Sequence, residues 1–182
     1  MARLPYVEPE TAPAAVREIL ERLPVKLNIF KMMAHAESNF RPLLQLGTSI
    51  LAQQQLSAKL RELAILHVAQ LSPAEYEWVQ HVPIAKSVGV TADQVKALEH
   101  GEIDAGCFDA EERLVLQFTS EVVRDVGASD VTFAAMAQRF TPREIVELIL
   151  AIGFYMTMAR LMETTRIDLE PDAGTKIIDA MK

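Results

Sequence analysis

The sequence predicts an all-α fold, and three observations predict it. Glycine is scarce, 7 residues in 182, against roughly 7% in ordinary globular chains. Ala, Leu and Met, which lose little on entering a helix, are abundant. No stretch alternates apolar and polar residues for long enough to make a strand, whereas helix-capping signals recur along the chain.

Helices are expected at about 12–22, 28–36, 42–53, 58–70, 73–87, 92–99, 110–126, 131–139 and 142–165. Ser57 precedes the fourth, where Leu60, Leu63, Ala64 and Leu71 recur near the helical period. Ser72-Pro73-Ala74-Glu75 offers the fifth a Ser cap, a Pro at the first helical position and a Glu at the third. Thr141-Pro142-Arg143-Glu144 repeats that device for the ninth. Thr91 to Gln94 and Asp109 to Glu112 are weaker versions. Gly89, Gly101 and Gly127 stand where helices would end. A short last helix is suggested after Glu170-Pro171. The expected organisation is one domain over 1–182, with 1–40 as a helical N-terminal extension.

Composition narrows the function classes. Half of the residues are hydrophobic and the net charge is −7. An acidic chain without a basic run is a poor partner for nucleic acid or anionic lipid. The single cysteine, Cys107, excludes an internal disulfide framework and a Cys-rich metal site. A start without an apolar leader points with it to a reducing, cytoplasmic setting. Between Glu147 and Arg160 lie only 12 uncharged residues, short of the ~20 that a membrane span needs. The segments 58–70 and 142–165 carry apolar residues around most of their circumference, which marks helices in the middle of something. A chain of this length is short of core to cover both, which favours homo-oligomerisation.

A few polar residues do not fit that core pattern. Glu62 lies in the greasy helix 58–70, and ionised carboxylates are rarely buried unless paired. Glu77 and His81 are four apart on the next helix and share a face. A carboxylate one turn from an imidazole can accept its N–H and fix its tautomer, which makes an acid–base unit. Tyr76 is placed to give a pocket a hydroxyl. His67 reads as a core or edge histidine, and His35 and His100 lie near helix ends. No His-x-x-x-His is present, so neither a metal nor another cofactor is expected.

Leu60-Arg61-Glu62-Leu63-Ala64-Ile65-Leu66, followed by Glu75-Tyr76-Glu77-Trp78-Val79-Gln80-His81-Val82-Pro83-Ile84-Ala85, resembles the core of the carboxymuconolactone decarboxylase family. That superfamily includes the alkyl hydroperoxidase D-like (AhpD-like) proteins. The specific part spans 56–90, and Phe40-Arg41-Pro42 extends it. The resemblance implies an AhpD-like bundle of about eight to ten helices that assembles into trimers or hexamers. It implies that Glu62 and His81 match the Glu and His of the redox branch, whose two cysteines fall here on Ala74 and Glu77. Peroxide reduction by that branch needs an attacking thiolate and a resolving thiol, and neither residue supplies one. The retained set, Glu62, Glu77 and His81 with Tyr76 binding substrate, points to a cofactor-independent lyase acting on a small carboxylated lactone or related acid. Two other readings stay open: a hydroperoxidase relative relying on Cys107, and a non-catalytic oligomeric binder of a small ligand.

Overall fold

The computed structural model describes residues 1–170, which form nine helices and no strand. They are α1 (Ala14–Arg22), α2 (Asn28–Met33), α3 (Glu37–Ala52), α4 (Ala58–Leu71), α5 (Glu75–Ser87), α6 (Ala92–Glu99), α7 (Ala110–Asp125), α8 (Asp130–Ala137) and α9 (Pro142–Thr165). The helix suggested after Pro171 lies outside the described residues.

The caps form where a polar side chain is free to turn back. Thr91, Asp109 and Thr141 each close a reciprocal capping box, with Gln94, Glu112 and Glu144. The box expected at Ser72 does not form. Ser72 instead closes α4, its N–H on the Val68 carbonyl, and Ala74 becomes the residue before α5. The link between the two helices is too short for Ser72 to serve both. α3 starts at Glu37, ahead of the expected 42, and contains Pro42. Pro42 is exposed near the helix start, so its missing N–H removes one early bond and no packing. Gly89 and Gly101 take positive φ at helix ends as expected, but after α7 that conformation falls on Val126, one residue before Gly127.

α4 is the central helix. Every residue from Leu60 to Ala69 is buried, because α5, α7 and α9 pack around it. Leu63, Leu66, Phe118, Leu148 and Ile152 anchor the main core around it. A second cluster joins α1, α2 and the start of α3 to Tyr76, Met158 and Met162. Each large side chain so buried contributes about 1.5–3 kcal/mol. The candidate site lies where the two clusters meet.

α9 is only half covered, contrary to the expectation of burial around most of its circumference. Ile145, Leu148, Ile152 and Tyr155 face inward, while Val146, Ile149 and Leu150 stay exposed. The other helices of the chain lie on one side of it. Its 24 residues include a stretch of mean hydropathy 1.7, long and apolar enough to cross a membrane by length and composition alone, and 44% of that stretch is buried inside the fold.

Candidate active site

α4 brings Glu62 to the centre of the fold, fully buried. α5 packs on α4 and carries Tyr76, Glu77, Gln80 and His81 on positions that the 3.6-residue period gathers along one side. All four are buried. α9 adds Tyr155, the one tyrosine of a long apolar helix, also buried.

His81 Nδ1 donates to Glu62 Oε2 at 2.9 Å. The other carboxylate oxygen, Oε1, accepts from Arg61 Nε at 3.3 Å, and Arg61 is itself only 4% exposed. Tyr155 meets the imidazole edge to face, with centroids 4.7 Å apart and planes at 86°. The ring is thus fixed from two sides. A carboxylate on Nδ1 selects the Nδ1–H tautomer and leaves Nε2 with its lone pair. No hydrogen bond engages Nε2 among the described residues.

Glu77 departs from its expected role. It shares the α5 face with His81, but the partner of the imidazole is Glu62 on the neighbouring helix, not Glu77. Spacing along one helix sets proximity, whereas the helix packed across from it sets where the ring points. Both Glu77 oxygens are buried without a partner among the described residues. Burial first, then the carboxylates of Glu62 and Glu163, holds Glu77 well above the usual carboxylate range. Two neighbouring carboxyls therefore sit in opposite environments: Glu62 between a guanidinium and an imidazole, Glu77 alone.

Tyr76 lies at the site, but its hydroxyl donates to Glu170 Oε1 at 2.8 Å. Its ring lines the cavity while its polar end is committed to the chain's C-terminal segment, so the expected substrate contact is not free. His67 lies apart, with Nε2 2.6 Å from Ser120 Oγ, and burial lowers it to about 4. Cys107 is exposed and outside the cavity. No group of three or more His, Cys, Asp or Glu side chains could hold a metal ion among the described residues.

Tyr76, Glu77, Gln80, His81 and Tyr155 border a cavity of about 270 Å³ between the two clusters, with Glu62 behind His81 and outside its lining. α2 and the residues before it, Leu27, Ile29, Phe30 and Met33, form one wall, and Phe154, Met158 and Met162 of α9 another. Glu77, Gln80 and His81 supply the polar end, and no Lys or Arg lines it. Gly47 lets Phe154 close the side, since a Cβ there would stand 3.0 Å from the ring. Gln80 went unnoticed in the sequence, although its place three residues from Glu77 and beside His81 is the signal that finds it. Its amide nitrogen and oxygen are both buried without partners among the described residues. A buried polar group left in that state costs about 1–3 kcal/mol.

Residues 38–120 match the carboxymuconolactone decarboxylase family. The matched part covers 83 of the 182 residues, and over it the chain resembles that family. An uncharacterised peroxidase-related protein from Silicibacter sp. TM1040 superposes with a TM-score of 0.77 at 18% identity, covering 93% of this chain and 92% of that one. An uncharacterised peroxidase-related protein from Ralstonia eutropha JMP134, described as an alkylhydroperoxidase AhpD core, gives 0.79 at 18% identity with the same coverage. The debrominase Bmp8, as a Cys-to-Ala variant in complex with 2,3,4-tribromopyrrole, gives 0.75 at 15% identity over 100% of both chains. These likenesses establish the fold. No curated protein matches the chain. Buried Ala74 precedes α5 and buried Glu77 lies in its first turn, at the two positions where the resemblance places the thiols of the redox branch.

Proposed function

We propose that this protein is a cofactor-independent acid–base enzyme, a lyase that moves a proton at a carbon atom of a small, mainly apolar lactone or related acid. One observation carries the reading: Glu62 accepts from His81 Nδ1 at 2.9 Å, and His81 lines a mainly apolar cavity with Nε2 unengaged among the described residues. With no Lys or Arg in the lining, protonated His81 is the cation available to a substrate carboxylate, which favours one such group over two.

In a decarboxylation the C–C bond to the carboxylate breaks, its electron pair passes into the adjoining lactone carbonyl, and carbon dioxide leaves. His81 Nε2–H then delivers its proton to that carbon as the carbonyl re-forms. Glu62 stabilises the imidazolium before the transfer and holds the ring in line during it. Solvent returns a proton to the imidazole, and Glu77, held above the usual carboxylate range by burial, lines the same cavity. The peroxidase alternative lacks support from the site, since Cys107 is outside it.

The test is solvent-deuterium incorporation and carbon dioxide release with γ-lactone carboxylic acids. Positioned acid–base groups contribute about 10²–10⁴-fold, so His81→Ala should lose turnover by that factor while remaining folded. Turnover at the wild-type rate in His81→Ala would falsify the proposal.

A further inference from the structure

Four buried polar atoms at the cavity have no partner among the described residues: both oxygens of Glu77 and both amide atoms of Gln80. Glu77 is 2% exposed and Gln80 5%, and both residues line the cavity. They stand three apart on α5, so their side chains are neighbours along one face. Native proteins rarely leave so many buried groups unsatisfied in one place. The rest of the lining is mainly Leu, Ile, Val, Met and Phe; its other polar side chains, Thr48, His81 and Tyr155, make no hydrogen bond to Glu77 or Gln80 among the described residues, and the hydroxyl of Tyr76 is already on Glu170.

We propose that Gln80 and Glu77 form a specificity site for an uncharged group that presents a hydrogen-bond donor and an acceptor on adjacent atoms, as a lactam or an un-ionised acid does. The inference rests on reading this cavity as the substrate site and names what the non-reacting part of the substrate displays. A primary amide is self-complementary to such a group: its N–H₂ donates to the ligand carbonyl while its own oxygen accepts the ligand N–H or O–H. A simple ester or lactone, which offers only acceptors, leaves the Gln80 oxygen unpaired. An ionised group placed against Gln80 gains no Lys or Arg, since none lines the cavity, and it meets the buried carboxyl of Glu77 instead. The volume, about 270 Å³, is near the lower end of small-molecule pockets, roughly 300–1,000 Å³. It suits a body of one or two fused rings.

Carbostyril, a flat bicyclic lactam, provides the probe. Its N-methyl and C-methyl isomers have the same size, but only the C-methyl isomer keeps the N–H. Calorimetric titration of the full chain should show the C-methyl isomer binding at least about 10-fold tighter than the N-methyl isomer, the effect of one hydrogen bond to a buried partner. Gln80→Leu and Glu77→Leu should each bring that ratio toward unity. Both variants should still bind naphthalene as the wild type does, which shows that the cavity is intact. Equal affinities for the two isomers in the wild-type protein would mean that water satisfies these side chains, and would overturn the inference. A preference that survives in the Gln80→Leu/Glu77→Leu double variant would overturn the assignment to these residues. Neither readout involves turnover. Equal isomer affinities in the wild-type protein, with His81-dependent deuterium incorporation intact, therefore sink this inference alone. The converse result sinks only the proton-transfer reading.

Discussion

Replacing Glu77 by Leu should make the protein more stable, and increasingly so as the pH rises. Glu77 is 2% exposed, and its two oxygens have no partner among the described residues. Even when protonated, such a group costs about 1–3 kcal/mol relative to an apolar side chain of similar shape. A pH-dependent part adds to this. The ordinary value of the carboxyl is 4.5, and burial raises it in the folded state. Above 4.5 the unfolded chain releases this proton while the folded chain keeps it. Folding is therefore penalised by about 1.4 kcal/mol for each pH unit, up to the raised folded value, where the penalty levels off. Below 4.5 both states hold the proton and only the desolvation cost remains. Urea denaturation of wild type and Glu77→Leu at matched concentration, at about pH 5 and pH 7, measures both parts. The variant should gain about 1–3 kcal/mol at the lower pH and more at the higher. For a domain of this size each kcal/mol shifts Tm by roughly 2–4 °C. A variant less stable than wild type at neutral pH, or a gain that does not change with pH, would refute the reasoning. A stabilising substitution at this position would mean that the carboxyl is retained for what it does in the cavity rather than for the fold.

Three further outcomes follow from the same geometry. Glu62→Leu leaves the buried Arg61 guanidinium, 4% exposed, without its carboxylate; it should lose about 3–5 kcal/mol, and Arg61→Met/Glu62→Leu should recover most of it in a denaturation cycle. Tyr76→Phe removes only the bond to Glu170, so about 1 kcal/mol of stability should go with kcat unchanged; a large fall in kcat would restore the hydroxyl to the reaction. Val146, Ile149 and Leu150 form an exposed apolar stripe on α9, the face on which the homo-oligomer expected from the sequence would bury surface: Val146→Glu with Leu150→Glu should lower the sedimentation coefficient, and an unchanged coefficient would clear that face of the role.

Much of this fold was legible because helices announce themselves locally. Thr141-Pro142 and Asp109 fix the starts of α9 and α7 through groups within three residues of each other, and such signals need no tertiary knowledge. Ser72 shows the limit: two helix ends competed for one short link, and closing α4 prevailed over opening α5. At the site, the sequence places Glu77, Gln80 and His81 on one face, but which carboxylate holds the imidazole depends on how α5 lies against α4. That packing delivers Glu62 across 19 positions of sequence. Tyr155 was hidden for the same reason, since nothing near residue 81 in sequence points to α9. The exposed side of α9 escaped because apolarity alone does not tell a face covered by its own chain from one left open.

The most direct measurement is the protonation pattern of the His81 ring by nitrogen-15 NMR with labelled histidine, in wild type and Glu62→Gln. With Glu62 on Nδ1 and Nε2 unengaged, the neutral ring should be the Nδ1–H tautomer in the wild type, and that preference should weaken in Glu62→Gln. A wild-type ring protonated on Nε2, or one averaging between tautomers with no response to Glu62→Gln, would contradict the account.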